Sequence, residues 1–160
     1  MTESRLSITS MSYENKEDIR ILASCLSGWF SNPKILHFTA SSIRYPFKIQ
    51  QWINQSYLNQ SNTLVLKLDN WIIGHLSIRF NYHKKSAHIF HLIIDPNQQK
   101  NGFGKKLIQY AEKLIFENDF KAITLNVLKN NQIAISFFEK NGYNIIVKKK
   151  SKKIKMLKYL

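Results

Sequence analysis

The stretch His88 to Gly104, HIFHLIIDPNQQKNGFG, decides how the rest of this chain is read. Its first seven residues are apolar, β-branched or histidine, and Asp95-Pro96 ends them, the pattern of a buried strand and its stop signal. A polar loop follows, and Gln99-Lys100-Asn101-Gly102-Phe103-Gly104 then runs into a helix. From Phe103 the apolar positions fall at Leu107, Ala111, Leu114 and Ile115, with Lys105, Lys106, Gln109 and Glu112 on the outer side. That is helical spacing. Glycine lets the backbone approach a ligand closely, and the first N–H groups of a helix have no partner within it. Strand, glycine turn and helix start together make an anion site, most naturally for a pyrophosphate.

Taken alone, the turn also fits an ordinary helix–strand connection with solvent on its amides. It is neither the GxGxxG of dinucleotide-binding folds nor the GxxxxGK[ST] of phosphate loops. The hexapeptide Gln99 to Gly104 does resemble QxxGxG, the pyrophosphate-binding motif of the GNAT superfamily of acyl-CoA N-acyltransferases. A second segment is similar to that family's NxxAxxxYEKxGF: Asn131, Ala134, Phe138, Glu139, Lys140, Asn141, Gly142 and Tyr143. The two motifs lie 27 residues apart, counted from Gly104 to Asn131, which leaves room for one helix and one strand. The resemblance covers about residues 63 to 147 and implies an α/β (α+β) fold of GNAT type, a central mixed, mostly antiparallel sheet flanked by helices.

Outward from this centre, the chain of 160 residues is expected to form a single domain over 1–160. A strand is expected over 5–10, then a helix capped by Asn15 with Ile19, Leu22, Leu26, Trp29 and Phe30 on its apolar face. Residues 31–45 read as irregular and 46–60 as a second helix. Strands follow at 63–68 and 71–80, turning at Asp69-Asn70. Beyond the central strand and its helix come a strand at 122–127, a helix at 131–140 and a terminal hairpin, 143–148 with 153–159. The single cysteine, Cys25, excludes an internal disulfide, and with no apolar run of membrane-spanning length the expectation is a cytoplasmic protein without membrane contact. The net charge of +14 invites contact with nucleic acid or the ribosome. Against that, only four of the basic residues are arginines, and the bias toward Lys, Asn and Ile together is also what coding composition produces.

The resemblance also implies site residues. The acetyl-CoA cosubstrate is expected along Leu92, Ile93 and Ile94, where a backbone N–H polarises the thioester, and over Gln99, Lys100, Asn101, Gly102, Phe103, Gly104 and Lys105 at the phosphates. Asn131 and Phe138 complete that set. Family members carry a Glu or His base on the central strand; His88 and Phe90 match, so His88 is the expected catalytic base, with an imidazole that ordinarily titrates near ~6.5. His91 is expected on the opposite face. Asn126 stands where some members have a Glu base, and Phe138 where the usual Tyr protonates the leaving sulfur. No metal is expected. The acceptor is expected between residues 31–45, with Phe38 and Tyr45 contacting it, and the cationic turn 148–153.

Three functions remain at this level. The first is N-acetyl transfer to a small amine or to a peptide or protein N-terminus, by a monomer or homodimer. The second is a catalytically silent CoA-binding module, which the missing Tyr at Phe138 favours. The third is nucleic-acid binding on this fold. The segments LSGWFSNPKILHFT (26–39) and YPFKIQQW (45–52) resemble the branch that acetylates ribosomal-protein N-termini and polyamines. The cationic turn argues against a free polyamine and for an acceptor of low positive charge.

Overall fold

The structure, a computed structural model, describes residues 4–148 and 152–160. Among the described residues, seven strands form one sheet in the order β1-β2-β3-β4-β5-β7-β6. They are β1 (Leu6–Met11), β2 (Asn62–Leu68), β3 (Trp71–Asn81), β4 (Ser86–Ile94), β5 (Ala122–Leu128), β6 (Asn144–Lys148) and β7 (Lys153–Tyr159). All neighbours pair antiparallel except β4 with β5. Helices α1 (Lys16–Trp29), α2 (Pro33–Thr39) and α3 (Ile49–Leu58) cover one face, and α4 (Phe103–Glu117) and α5 (Gln132–Lys140) the other. This is the mixed sheet between helices that the sequence led us to expect.

Each face has its own core. Under α4 and α5 lie Leu64, Leu66, Leu76, Ile78, Ile89 and Ile123, packed on Leu107, Ile108, Ala111 and Ile115 of α4. Under α1 to α3 lie Val65, Ile72 and Ile93, packed on Leu22, Leu26, Leu36 and Trp52. Neighbouring residues of β2 thus feed opposite cores, which is why its run Thr63 to Leu66 is buried throughout. Among the described residues no helix is long and apolar enough to cross a membrane.

Two local expectations are corrected. Residues 31–45 are not wholly irregular: Asn32 accepts from the Lys34 amide at 2.9 Å and Pro33 opens α2. An Asn cap followed by Pro at the first helical position is a start signal that the helix's brevity concealed. The next helix begins at Ile49, three residues later than the expected 46, with Lys48 still extended.

The feature that shapes the site is a bulge in β4. His75 pairs with Ile93 and Ser77 with Phe90, so His91 and Leu92 together oppose Leu76, and His91 has a φ of 50°. The extra residue resets the alternation of side chains and bends the strand. Ala87 and Ile89 point to the α4 side; after the bulge, Leu92 and Ile94 do so. His91 therefore lies on the same face as His88 and Phe90, with its ring 4.8 Å from that of Phe90 and stacked on Trp52 at 4.1 Å. The expectation that His91 faces away from His88 is thereby overturned.

Candidate active site

Strands β4 and β5 pair only from Ser86 to His88 and from Ala122 to Thr124. Beyond that point β5 continues its ladder with β7, and the bulged β4 leaves it. The two strands open a cleft of about 1090 Å³, lined by Leu92, Ile93 and Ile94 on one edge and Leu125 to Leu128 on the other. Small-molecule sites usually enclose roughly 300–1,000 Å³, so this volume suits a large ligand. Backbone groups that would have closed the ladder face the cleft instead, and they offer donors and acceptors to an extended ligand.

On the α4 side the cleft ends at the glycine turn. Helices α1, α2 and α5 each start on an asparagine whose side chain accepts from first-turn amides. Helix α4 starts instead on Gly102, in the left-handed region at φ 78°, with no side-chain cap. Lys100 is also left-handed, at φ 67°. A Cβ on Gly102 would meet no atom within 4 Å, so here glycine serves the backbone conformation and leaves open space before the amides. Gly104 answers a different need: a Cβ there would come within 3.3 Å of the Phe137 ring. Gln99 ties the loop back to β4 by donating from Nε2 to the Ile94 carbonyl at 3.2 Å. Exposed Lys100 and Lys105 line this end, so the uncapped turn and its cations fit a pyrophosphate.

Asn131 caps α5, accepting from the Ala134 amide at 3.3 Å, and also lines the cleft. Phe138 lines it as well, packed edge-on against Phe137 and Tyr143. Tyr143 beside it has a buried hydroxyl without a hydrogen-bond partner, and burial raises its pKa far above the usual phenol range. It therefore keeps its proton and packs.

On the opposite face of the sheet the cleft is floored by His88, Phe90 and Asn126 and walled by Phe38 and the segment after α2. His88 is half-buried, with Nδ1 2.8 Å from the Thr124 hydroxyl. Burial, and then the cations Arg79, Lys155 and Lys153, push its imidazole down to about 4. The expectation of an unshifted imidazole is corrected: His88 is neutral at physiological pH and a weaker base than a free one.

Two expected contacts lie elsewhere. Asn101 does not line the cleft; its amide donates to the Gln98 carbonyl at 3.3 Å. Tyr45 is exposed outside it, its hydroxyl donating to the Ser31 carbonyl at 3.4 Å. Of the expected turn at 148–153, residues 149–151 lie outside the described residues. The sequence reading missed Arg79 and Thr124, which the register places on either side of His88. Counting back through the β3–β4 hairpin from Asn81 and Ser86 would have found Arg79; the partner on β5 had no local signal.

Behind the bulge runs a buried polar chain. The His91 carbonyl can only accept, so the 2.8 Å contact makes His75 Nδ1 the protonated nitrogen. His75 Nε2 then accepts from the Tyr13 hydroxyl at 3.1 Å, and Tyr13 accepts from Trp52 Nε1 at 3.0 Å. Burial holds His75 neutral, at about 4, in keeping with that assignment. Among the described residues no three His, Cys, Asp or Glu side chains cluster as a metal site.

Comparison with known proteins agrees with this geometry. The family model for the acetyltransferase (GNAT) family matches residues 28–143. A spermidine N(1)-acetyltransferase of Thermoplasma acidophilum is 27% identical over 112 residues, 68% of either chain. An S-(2-succino)cysteine N-acetyltransferase of Bacillus subtilis is 26% identical over 93 residues, 54% of this chain and 56% of that relative. The crystal structure of the PaiA N-acetyltransferase of Thermoplasma acidophilum in complex with coenzyme A shares the fold, with a TM-score of 0.74 at 21% identity over 98% of this chain and 99% of that one.

Proposed function

The chain belongs to the GNAT family of acetyltransferases, and on that premise we propose that it transfers an acetyl group from acetyl-CoA to a small amine or peptide N-terminus of low positive charge. The observation that carries this reading is the cleft between β4 and β5, which ends on one side at the uncapped glycine turn and on the other at His88. Acetyl-CoA supplies the activated carbonyl as a thioester. The amides from Gly102 to Lys105 hold its pyrophosphate, with Lys100 and Lys105 adding charge, and the open edges of β4 and β5 hold its extended arm. A backbone N–H in the segment Leu92 to Ile94 donates to the carbonyl oxygen as negative charge develops there.

The amine nitrogen attacks the carbonyl carbon from the His88 side; the C–N bond forms, the C–S bond breaks, and sulfur leaves with the electron pair. His88 takes the amine's proton, directly or through water. Phe138 has no proton to give, so the sulfur collects one from solvent. A thiol with a pKa of about 8.5 leaves tolerably without help near neutral pH. Phe138 also supports a second reading, a CoA-binding module without turnover.

Calorimetry with acetyl-CoA tests the cofactor end. Gly102→Val puts a β-branched residue in the left-handed region, where even ordinary side chains cost about 1–2 kcal/mol, and crowds the phosphates. Its Kd for acetyl-CoA should rise at least about tenfold while the circular dichroism of the fold is retained. Equal affinity in parent and variant would remove this turn from the site. Thiol release with a panel of amines then separates the enzyme from the silent module.

A further inference from the structure

We infer that the acceptor arm of the cleft takes an amine that also carries a carboxylate within a few bonds of the nitrogen, and that Arg79 is the residue that reads that carboxylate. The inference rests on the acetyl-transfer reading above and specifies its substrate class. Its first support is a pairing pattern. Arg79 of β3 is the partner of His88, and His88 of Thr124, so the three form a row across the sheet on the face away from α4. One row on, Asn126 pairs with Lys155, and Lys153 lies at the mouth of the cleft. Cations thus stand on both sides of the imidazole, and all three act on it electrostatically.

The second support is what the lining lacks. Among the described residues that line the cleft there is no aspartate or glutamate. The basic ones are Lys100 and Lys105 at the glycine turn, which suit phosphates, Lys140 at the end of α5, and Arg79 and Lys153, which stand near His88. A polycationic acceptor would meet repulsion there with no counter-charge to receive it.

The third support is preorganisation. Arg79 Nη1 donates to Asn59 Oδ1 at 2.7 Å, and Asn59 Nδ2 donates in turn to the Gln55 carbonyl at 2.8 Å. The end of α3 therefore orients the guanidinium, whose planar fork retains N–H groups to donate to a carboxylate in pairs. A carboxylate bound there would also offset part of the positive field on His88, which makes the imidazole a better base when the right acceptor is present.

The test is a set of initial rates, read as thiol release at saturating acetyl-CoA, with L-aspartate, L-glutamate, their diamides, a dipeptide with an acidic second residue, and spermidine. The carboxylates should exceed their diamides and spermidine in kcat/KM by at least about tenfold, and their KM should rise with salt as the field is screened. A lead for the amino acids assigns a free amino-acid acceptor and a lead for the dipeptide an acidic peptide N-terminus; both support carboxylate reading. Arg79→Gln should collapse the acid-over-diamide ratio and leave the KM for acetyl-CoA within about twofold, and Arg79→Lys, a cation without the fork, should restore it only in part. Spermidine or a diamide as the best acceptor, or a ratio unmoved by Arg79→Gln, would overturn the inference and spare acetyl transfer. Binding of acetyl-CoA with no thiol release from any amine would overturn acetyl transfer itself, and the inference with it.

Discussion

At the scale of single residues, His88 shows how environment sets chemistry. An imidazole pushed down to about 4 by burial and by Arg79, Lys155 and Lys153 is unprotonated over the whole working range. As the base of the proposed reaction it would accept a proton at once but hold it poorly, and would pass it on to water. The consequence is a pH profile without an inflection near 6.5 from this group. Rates between pH 5.5 and 7.5 should instead follow deprotonation of the amine, and the histidine's own limb should lie near pH 4. His88→Ala should lower kcat by about 10², the lower end for general bases, and change the KM for acetyl-CoA little. A kcat indifferent to the substitution would take His88 out of the reaction. The Thr124 hydroxyl lies 2.8 Å from Nδ1 and holds the orientation of the ring.

At the scale of elements, the bulge in β4 does three things together. It bends the strand away from β5 and opens the cleft, brings His91 onto the face of His88, and leaves the β5-facing edge of Leu92 to Ile94 without a strand partner. A non-glycine residue at φ 50° is strained and persists only where its surroundings hold it. Here the holding group is the chain Trp52, Tyr13, His75, which ends on the His91 carbonyl. Tyr13→Phe keeps the ring and deletes the hydroxyl, which leaves Trp52 Nε1 and His75 Nε2 buried without partners. Each such loss costs about 1–3 kcal/mol, so urea unfolding should show a destabilisation of about 2 kcal/mol or more. Because the strand whose amides are proposed to polarise the carbonyl is loosened, kcat should also fall while acetyl-CoA still binds. A variant as stable as the parent would mean that the bulge stands without this chain.

At the scale of the whole molecule, three histidines, His75 and His91 buried and His88 half-buried, set its response to acid. His75, His88 and His91 are held down to about 4, 4 and 3, in each case chiefly by burial. The unfolded chain, with imidazoles near ~6.5, binds more protons than the folded one below that pH. The stability these neutral rings contribute is therefore complete above about pH 6.5 and is lost as pH falls toward the folded values. Each histidine still neutral at pH 4.5 should cost about 2 kcal/mol there. Denaturant midpoints should be flat above pH 7 and drop steeply between 6.5 and 4.5. Midpoints independent of pH in that window would show that the rings are not buried neutral. The charge of +14 works in the same direction, since acid adds further positive charge to a chain that already repels itself.

What the amino-acid sequence determined by itself is what local chemistry can encode. The glycine turn needed one residue able to take φ 78° before an uncapped helix, and Gly102 announces it. The stripes of α1 and α4, the Asn15 cap and the Asp69-Asn70 turn are likewise written in neighbouring residues, and with the segment from Asn131 to Tyr143 they made the fold legible. What only the tertiary structure decided depends on which distant strands meet. The bulge is visible in no local pattern, because its cause is the register of β3 against β4 and the buried chain from Tyr13, 62 residues from its partner His75. So the face of His91, the parting of β4 from β5 and the exclusion of Asn101 and Tyr45 from the cleft all escaped the sequence. The same holds for the row Arg79, His88, Thr124, whose members come from three strands. Burial and field are sums over all such neighbours, and that is why the chemistry of His88 emerged only once the chain was folded.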